Sequence, residues 1–313
     1  MDNLTHSLVG LMLARAGLEK TTPHGTAMMV LAANAPDIDA IFWFSGTQTY
    51  LEWHRSYPHA IAFAPLVALL PMLLARAKFS WPSFLASLIG VFSHLLLDWT
   101  NSYGIPLALP FSWHRFRLDI ANVFDVWIWT ILLGAVVVMA RARRAHIFTR
   151  PGWRSRWAQV TLAALLAFEG VRVVSHARAI DVMSAGLYKG ETRQRVTALP
   201  GAFNPLAWRG VVEGPGFVVI VPVNLAAEFD ARAGRLYPIA PPIPAMDATL
   251  RTRPFQVFSR WSEMPFWKVT PVEEGLRLDL IDLRFGAPDR SGFASVSAIV
   301  DRTGKVLRAG FGI

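Results

Sequence analysis

Long apolar runs fill the first half of the chain and are absent from the second. Residues 4–18 are apolar apart from Thr5, His6, Ser7 and Arg15, a stretch short for a membrane span. Residues 25–45 form a second apolar segment. It is interrupted at Asn34-Ala35-Pro36-Asp37-Ile38-Asp39, where Pro36 is expected to kink or end a helix. Residues 60–75 and 82–99 read as a third and a fourth span, about 120–140 as a fifth and about 157–175 as a sixth. Polar loops separate them. The loop at 45–58 carries Glu52, His54 and Arg55, and His59 follows it.

Farther on the pattern changes to prolines and short β-branched runs: Phe217-Val218-Val219-Ile220-Val221, Phe255-Gln256-Val257-Phe258 and Leu276-Arg277-Leu278-Asp279-Leu280. The last alternates strictly, as a half-buried strand does. Residues 294–300 and 305–311, joined by Asp301-Arg302-Thr303-Gly304, read as a β-hairpin. The expected architecture is an α-helical membrane domain of five to six transmembrane helices over residues 1–176. A small antiparallel β-rich soluble domain over 177–313 follows it.

Composition sharpens this picture. The chain is 53% hydrophobic and only 17% charged, which favours a membrane protein. It has no cysteine, which excludes disulfides, Cys-ligated zinc and a thiol nucleophile. Histidine and carboxylate are then the strong metal ligands at hand. The net charge of +9 raises the question of nucleic acid. However, six arginines fall between 141 and 156, beside apolar runs, and read as an orientation signal next to anionic headgroups. Membrane lipids are therefore expected partners and nucleic acid is not. The opening Met1-Asp2-Asn3-Leu4-Thr5-His6 lacks the basic stretch of a secretory signal peptide.

Loop charge also sets a direction. One set of alternate loops holds Arg15, Lys20, Arg76, Lys78 and the six arginines, ten charges in all; the other holds Arg55, Arg115 and Arg117. The positive-inside rule makes the first set cytoplasmic and puts the C-terminal domain outside the cytoplasm. His6, Asp37, Asp39, His54, His59, His94, Asp98, Asp119 and Asp125 then all come to the outer membrane face, from five separate segments. Ionisable groups at that depth are costly and mark a functional site.

Simpler readings exist for single residues. His94 and Asp98, four apart, share a helix face and can just hydrogen-bond each other. Asp37 or Asp39 can cap a helix, His54 can be solvated, and Glu169 with Arg172 is expected to be an ion pair along a helix. As a set, mixed His/Asp ligation without sulfur suits zinc, one ion or two, with manganese and iron as runners-up. Asp37 or Asp39 is the candidate bridge between two ions. Arg55 can hold a phosphate or carboxylate, and His54 and Asp39 are candidates for catalytic work beside it.

The ordered pieces Asn3-Leu4-Thr5-His6-Ser7 with Gly10, Pro36-Asp37-Ile38-Asp39, His54-Arg55-Ser56 with His59, and Ser93-His94-Leu95-Leu96-Leu97-Asp98 running to Asn101-Ser102-Tyr103-Gly104 cover about residues 1–125. On these the chain resembles the predicted membrane-bound metal-dependent hydrolases, which include bacterial inner-membrane proteins under DNA-damage control. The resemblance implies metal ligands at His6, Asp37, His54, His59, His94 and Asp98, and a multi-pass protein of the bacterial inner membrane. Pro58 stands where that family has a threonine. The HxxxD spacing is more distantly similar to zinc-dependent phospholipases C and single-strand nucleases.

The expected function is a metal-dependent hydrolase that uses a metal-activated water at the outer membrane face, on a phosphoester, a lipid or another small molecule. The alternative is a non-catalytic metal-binding membrane protein, a carrier or a sensor. A carrier should place its ionisable groups at mid-bilayer in repeated halves, and no repeat is visible. A scaffold that only presents the β-rich domain leaves the convergence of His and Asp unexplained.

Overall fold

A computed structural model describes residues 1–145, 152–188, 190, 193–289 and 294–312. The helices are α1 (Asn3–Ala16), α2 (Gly25–Ala32), α3 (Thr47–Trp53), α4 (Ala64–Val67), α5 (Leu69–Leu74), α6 (Trp81–Thr100), α7 (Val126–Arg144) and α8 (Trp153–Ala185). Short 3-10 segments at Ala35–Ser45 and Tyr57–His59 interrupt them. The strands follow: β1 (Arg195–Pro200), β2 (Ala207–Gly214), β3 (Phe217–Asn224) and β4 (Arg235–Pro238). Two helices, α9 (Pro244–Leu250) and α10 (Arg253–Trp261), precede β5 (Pro265–Val272), β6 (Gly275–Asp282), β7 (Ser295–Asp301) and β8 (Val306–Gly310). The chain forms two compact units. One gathers Met1–Asp39, Arg55–Ala177 and Pro200–Ala207, the other Ala40–His54, Arg178–Leu199 and Trp208–Ile313.

In the first unit, caps set where the helices begin. Asp2 accepts the Thr5 amide at the start of α1 (3.1 Å), and Ser80 accepts the Ser83 amide at the start of α6 (3.3 Å). Asp125 caps α7 through the Trp127 and Ile128 amides (3.0 and 3.3 Å), a structural duty that removes it from the set of converging carboxylates. Glycines set how close the helices come. A Cβ on Gly10 would lie 2.8 Å from the Ala33 Cβ and the Met29 carbonyl, and one on Gly90 2.6 Å from the Ala32 Cβ. The C-terminal end of α2 is therefore clasped between α1 and α6, at a separation that excludes any side chain at either glycine.

Three helices, α6, α7 and α8, are long and apolar enough to cross a membrane. Two bent pairs, Gly25–Ala32 with Ala35–Ser45 and Thr47–His59 with Ile61–Leu74, raise the number to five if each is one span. The 14 residues of α1 reach about 21 Å, short of the roughly 30 Å hydrocarbon core. Among the described residues the candidate spans thus number three to five, against the five to six expected. Exposed Val137, Val138, Leu166, Val171 and Val174 give α7 and α8 apolar outer faces suited to lipid. Arg172 does not pair with Glu169 as its spacing suggested. Its Nε donates to the Ile120 carbonyl (2.8 Å) and its Nη1 to the Pro205 carbonyl, and neither Glu169 oxygen has a hydrogen-bond partner among the described residues.

The second unit holds two four-stranded sheets, in the orders β1-β2-β3-β4 and β5-β6-β7-β8. The pairings β3–β4, β5–β6, β6–β7 and β7–β8 are antiparallel, and β7–β8 is the hairpin that the sequence suggested. Val211 and Val218 of one sheet share a core with Phe266 beside Leu283 of the other. Strand β6 is an interior strand, and on its polar side Asp279 is buried and held by Arg277 Nε (3.0 Å) and Ser297 Oγ (2.5 Å). The alternation of 276–280 thus marks a strand with Leu278 and Leu280 buried on one side and a polar side that is buried at Asp279 and partly exposed at Arg277. Phe255-Gln256-Val257-Phe258 is helical rather than extended. Pro254 lies in the first turn of α10, and Phe255, Phe258 and Trp261 recur at the helical i, i+3 interval on its buried face.

One buried ion pair anchors this unit. Arg284 meets Asp282 at 2.8 Å with both side chains fully buried, and Asp282 also accepts from Ser262 Oγ (2.8 Å). Burial pushes the Asp282 carboxyl up, but the Arg284 guanidinium and the converging donors outweigh it and hold the group below its ordinary value. A depressed folded-state value contributes stability above the unfolded value of about 3.9 and loses it as pH falls through the folded one. Asp282→Asn should cost about 3–5 kcal/mol in denaturant unfolding of this unit, because it strands a buried guanidinium. The variant should also lose part of the wild type's destabilisation below pH 4. Equal midpoints at pH 7 would refute the role given to the pair.

Candidate metal centre

Four donor side chains converge in the first unit. His94 and Asp98 sit one turn apart on the buried face of α6, Asp37 lies in the 3-10 segment after α2, and His59 closes the short Tyr57–His59 turn. One donor atom from each lies within 4.8 Å of all the others. The His59 and His94 Nε2 atoms are 3.2 Å apart. Asp37 Oδ1 is 3.4 Å from His59 Nε2 and 3.7 Å from His94 Nε2, and Asp98 Oδ2 is 3.6 Å from each. A tetrahedral ion with bonds of about 2.0–2.1 Å spaces its donors about 3.4 Å apart. The cluster has that spacing, and His59, His94 and Asp98 are fully buried.

The surroundings aim these atoms inward. His94 Nδ1 lies 2.8 Å from the Ala33 carbonyl, so the proton sits on Nδ1 and the Nε2 lone pair faces the cluster. That carbonyl belongs to the end of α2 clasped by Gly10 and Gly90. His59 Nδ1 lies 3.4 Å from Asp39 Oδ2, which also accepts the Ser56 amide at 3.3 Å. Asp39 thus orients the His59 ring from the side away from its Nε2. The two oxygens of Asp98 divide their work. Oδ1 accepts Arg55 Nη2 (2.9 Å) and Asn101 Nδ2 (3.2 Å) and meets the Met1 amino group, while Oδ2 has no hydrogen-bond partner and faces the histidines.

The other site candidates have different places. His6, on α1, stacks on the His94 ring (centroids 3.7 Å apart); its Nε2 is 3.5 Å from Asp98 Oδ1, and neither ring nitrogen makes a hydrogen bond. Arg55 is buried, adopts a left-handed backbone (φ 57°), reaches Asn101 Oδ1 (3.3 Å) and lies 4.5 Å over the Tyr103 ring. His54 ends α3, stacks on Tyr50 (4.4 Å) and falls in the second unit. Asp119 pairs with Arg117 and is not one of the four clustered donors. Sequence reasoning gave no role to Asn101 or Tyr103. The Asn101-Ser102-Tyr103-Gly104 run after the HxxxD spacing, one of the pieces that carry the family resemblance, was the available signal.

Two imidazoles and two carboxylates form a nitrogen and oxygen set that suits a divalent ion. Asp98 Oδ2 and the His6 ring nitrogens, without a hydrogen bond among the described residues, are further marks of a site built for a cation, since buried polar atoms normally find partners. Asp37, Asp39 and Asp98 place three carboxylates here, against two cations, the Arg55 guanidinium and the Met1 amino group. A divalent cation would offset the remaining charge.

The fold and this centre define a helical membrane protein with a buried His/Asp cluster able to hold a metal. The chain belongs to the YdjM inner membrane protein family, whose model matches residues 1–179. That places it in the inner membrane. It is also similar to the uncharacterized protein YfhP of Bacillus subtilis (strain 168), at 28% identity over 151 residues, 44% of this chain and 46% of the relative. The chain thus spans less than half of that relative's length. No solved structure matches.

If the α2 end aims His94, crowding it should weaken metal binding without touching a donor. Gly90→Val should lower affinity about 10- to 100-fold, the usual effect of disturbing an orienting partner, in competition with a chromophoric chelator. Unchanged affinity in a helical, membrane-inserted variant would contradict the assignment.

Proposed function

We propose that the protein is a membrane-embedded metal-dependent hydrolase acting on a phosphoester, of a lipid or of another small molecule. The supporting observation is the tetrahedral spacing of Asp37, His59, His94 and Asp98 beside the buried Arg55 guanidinium. Zinc is the proposed ion, one or two, with manganese and iron behind it. A bound divalent ion would lower the pKa of a water it holds to about 7. His59 and His94 are held by Asp39 and the Ala33 carbonyl in the orientation that binding requires. Arg55 supplies positive charge for a phosphoryl oxygen. His6, with both ring nitrogens free of hydrogen bonds, is the group best placed beside the donors to take or give a proton. His54 and Asp39 remain proposed participants, as their positions in the motif suggest.

A second reading, a non-catalytic metal carrier or sensor, draws on a specific observation. Four protein donors already close a tetrahedron, whereas a catalytic ion keeps a position for water. The test is hydrolysis by the metal-loaded protein in nanodiscs, on bis-p-nitrophenyl phosphate and on phospholipid. Chelation should abolish turnover, zinc or manganese should restore it, and Arg55→Ala should lower kcat about 100-fold if its charge acts in the transition state. Stoichiometric metal with no turnover on any phosphoester would leave the carrier or sensor reading.

The proposed orientation puts the second unit outside the cytoplasm, on the strength of the loop arginines. A reporter at the C-terminus should be active only when it requires export. A reporter active only in the cytoplasm would reverse the orientation.

A further inference from the structure

We propose that a cavity of about 420 Å³, between the C-terminal ends of α1 and α7 and the first turn of α8, binds a phosphate-bearing anion. The occupant is the headgroup of an anionic phospholipid or free inorganic phosphate. Four arginines line the cavity, Arg15 from α1, Arg143 and Arg144 from α7 and Arg154 from α8, over an apolar floor that includes Val136 and Met139. No carboxylate lines it, and none of the four guanidinium groups forms an ion pair among the described residues.

An orientation signal accounts for positive charge at this end of the bundle but not for its convergence on one cavity. The helix dipole accounts for part of it. Arg15, Arg143 and Arg144 sit in the last turns of α1 and α7, where a cation is favourable. Arg154 is the exception. It is the second residue of α8, at the positive end of that helix, where a cation is unfavourable and an anion is favoured. A phosphate in the cavity reverses the sign of that term and meets three more guanidinium groups, whose planar forks match phosphate oxygens.

The junction is built, not incidental. Ser155 Oγ and Gln159 Nε2 donate to the Ala16 carbonyl (2.8 and 3.1 Å), which fixes the start of α8 against the end of α1. Trp153, Leu13 and Ala16 pack on the adjoining core with Met139 and Ala158. The apolar floor beneath the charges suits a glycerophospholipid, whose acyl chains begin just below its phosphate. Basic pockets between helices at a cytoplasmic membrane surface bind such headgroups. The cavity is also separate from the metal centre. His6 and Arg15 are nine residues apart on α1, about 14 Å along its axis.

The test uses the full chain in a neutral detergent. Dihexanoyl-phosphatidylglycerol, dihexanoyl-phosphatidylcholine and inorganic phosphate are titrated separately, with bound ligand counted by native mass spectrometry. Arg15→Gln/Arg154→Gln removes two lining charges. Arg141→Gln/Arg156→Gln removes two from the same region that do not line the cavity. Wild type should bind one phosphatidylglycerol, the lining variant at least tenfold more weakly, and the control within about twofold of wild type. Phosphatidylglycerol binding that millimolar phosphate displaces assigns the site to a headgroup; phosphate binding without lipid binding assigns it to the free anion. Equal affinity for phosphatidylcholine, equal losses in both variants, or no binding of either anion would overturn the proposal. If the double variant does not fold, the Arg154→Gln single variant, at an exposed position, should still lose at least threefold, and no loss there counts against the cavity.

Discussion

A buried carboxylate has to be answered by positive charge, and Asp98 imposes that requirement on the whole first unit. It is fully buried near the end of α6. One oxygen is met by Arg55, Asn101 and the Met1 amino group, and the other is turned towards two histidines with no hydrogen bond of its own. The first oxygen is a structural acceptor and the second is an available ligand. Removing Asp98 would therefore strand a buried guanidinium as well as empty one corner of the cluster.

The rest of the helical arrangement keeps the other donors at the same level. Gly10 and Gly90 let α1 and α6 close on the end of α2, which puts the Ala33 carbonyl where it fixes the His94 tautomer and sends the chain on to Asp37. Pro58 lies within the Tyr57–His59 turn that presents His59, and Asp39 lies behind that ring, 3.4 Å from its Nδ1. Close packing of small residues is a common way for membrane helices to associate. Here it also sets the geometry of polar groups several residues away.

Much of the helical pattern was legible because apolar runs survive any detail of packing. The His94–Asp98 spacing was legible because four residues on a helix bring two side chains to one face. Other features depended on contacts that periodicity does not encode. Asp125 read as one of the carboxylates brought to the outer face, but it is the cap of α7. Arg172 read as the partner of Glu169, but carbonyl oxygens distant in sequence take its protons. Phe255 to Phe258 is too short to separate strand from helix, and only the continuation to Trp261 after Pro254 fixes the period. The left-handed turn at Arg55 has no glycine to announce it, so the approach of its guanidinium to Asp98 could not be read in advance.

X-ray absorption at the metal edge of the loaded, purified protein tests the central claim most directly, because it reads the donors themselves. The predicted first shell holds two imidazole nitrogens and two carboxylate oxygens at about 2.0–2.1 Å. His94→Ala should lose one imidazole from it. A shell without imidazole, or one unchanged in both His59→Ala and His94→Ala, would contradict the account.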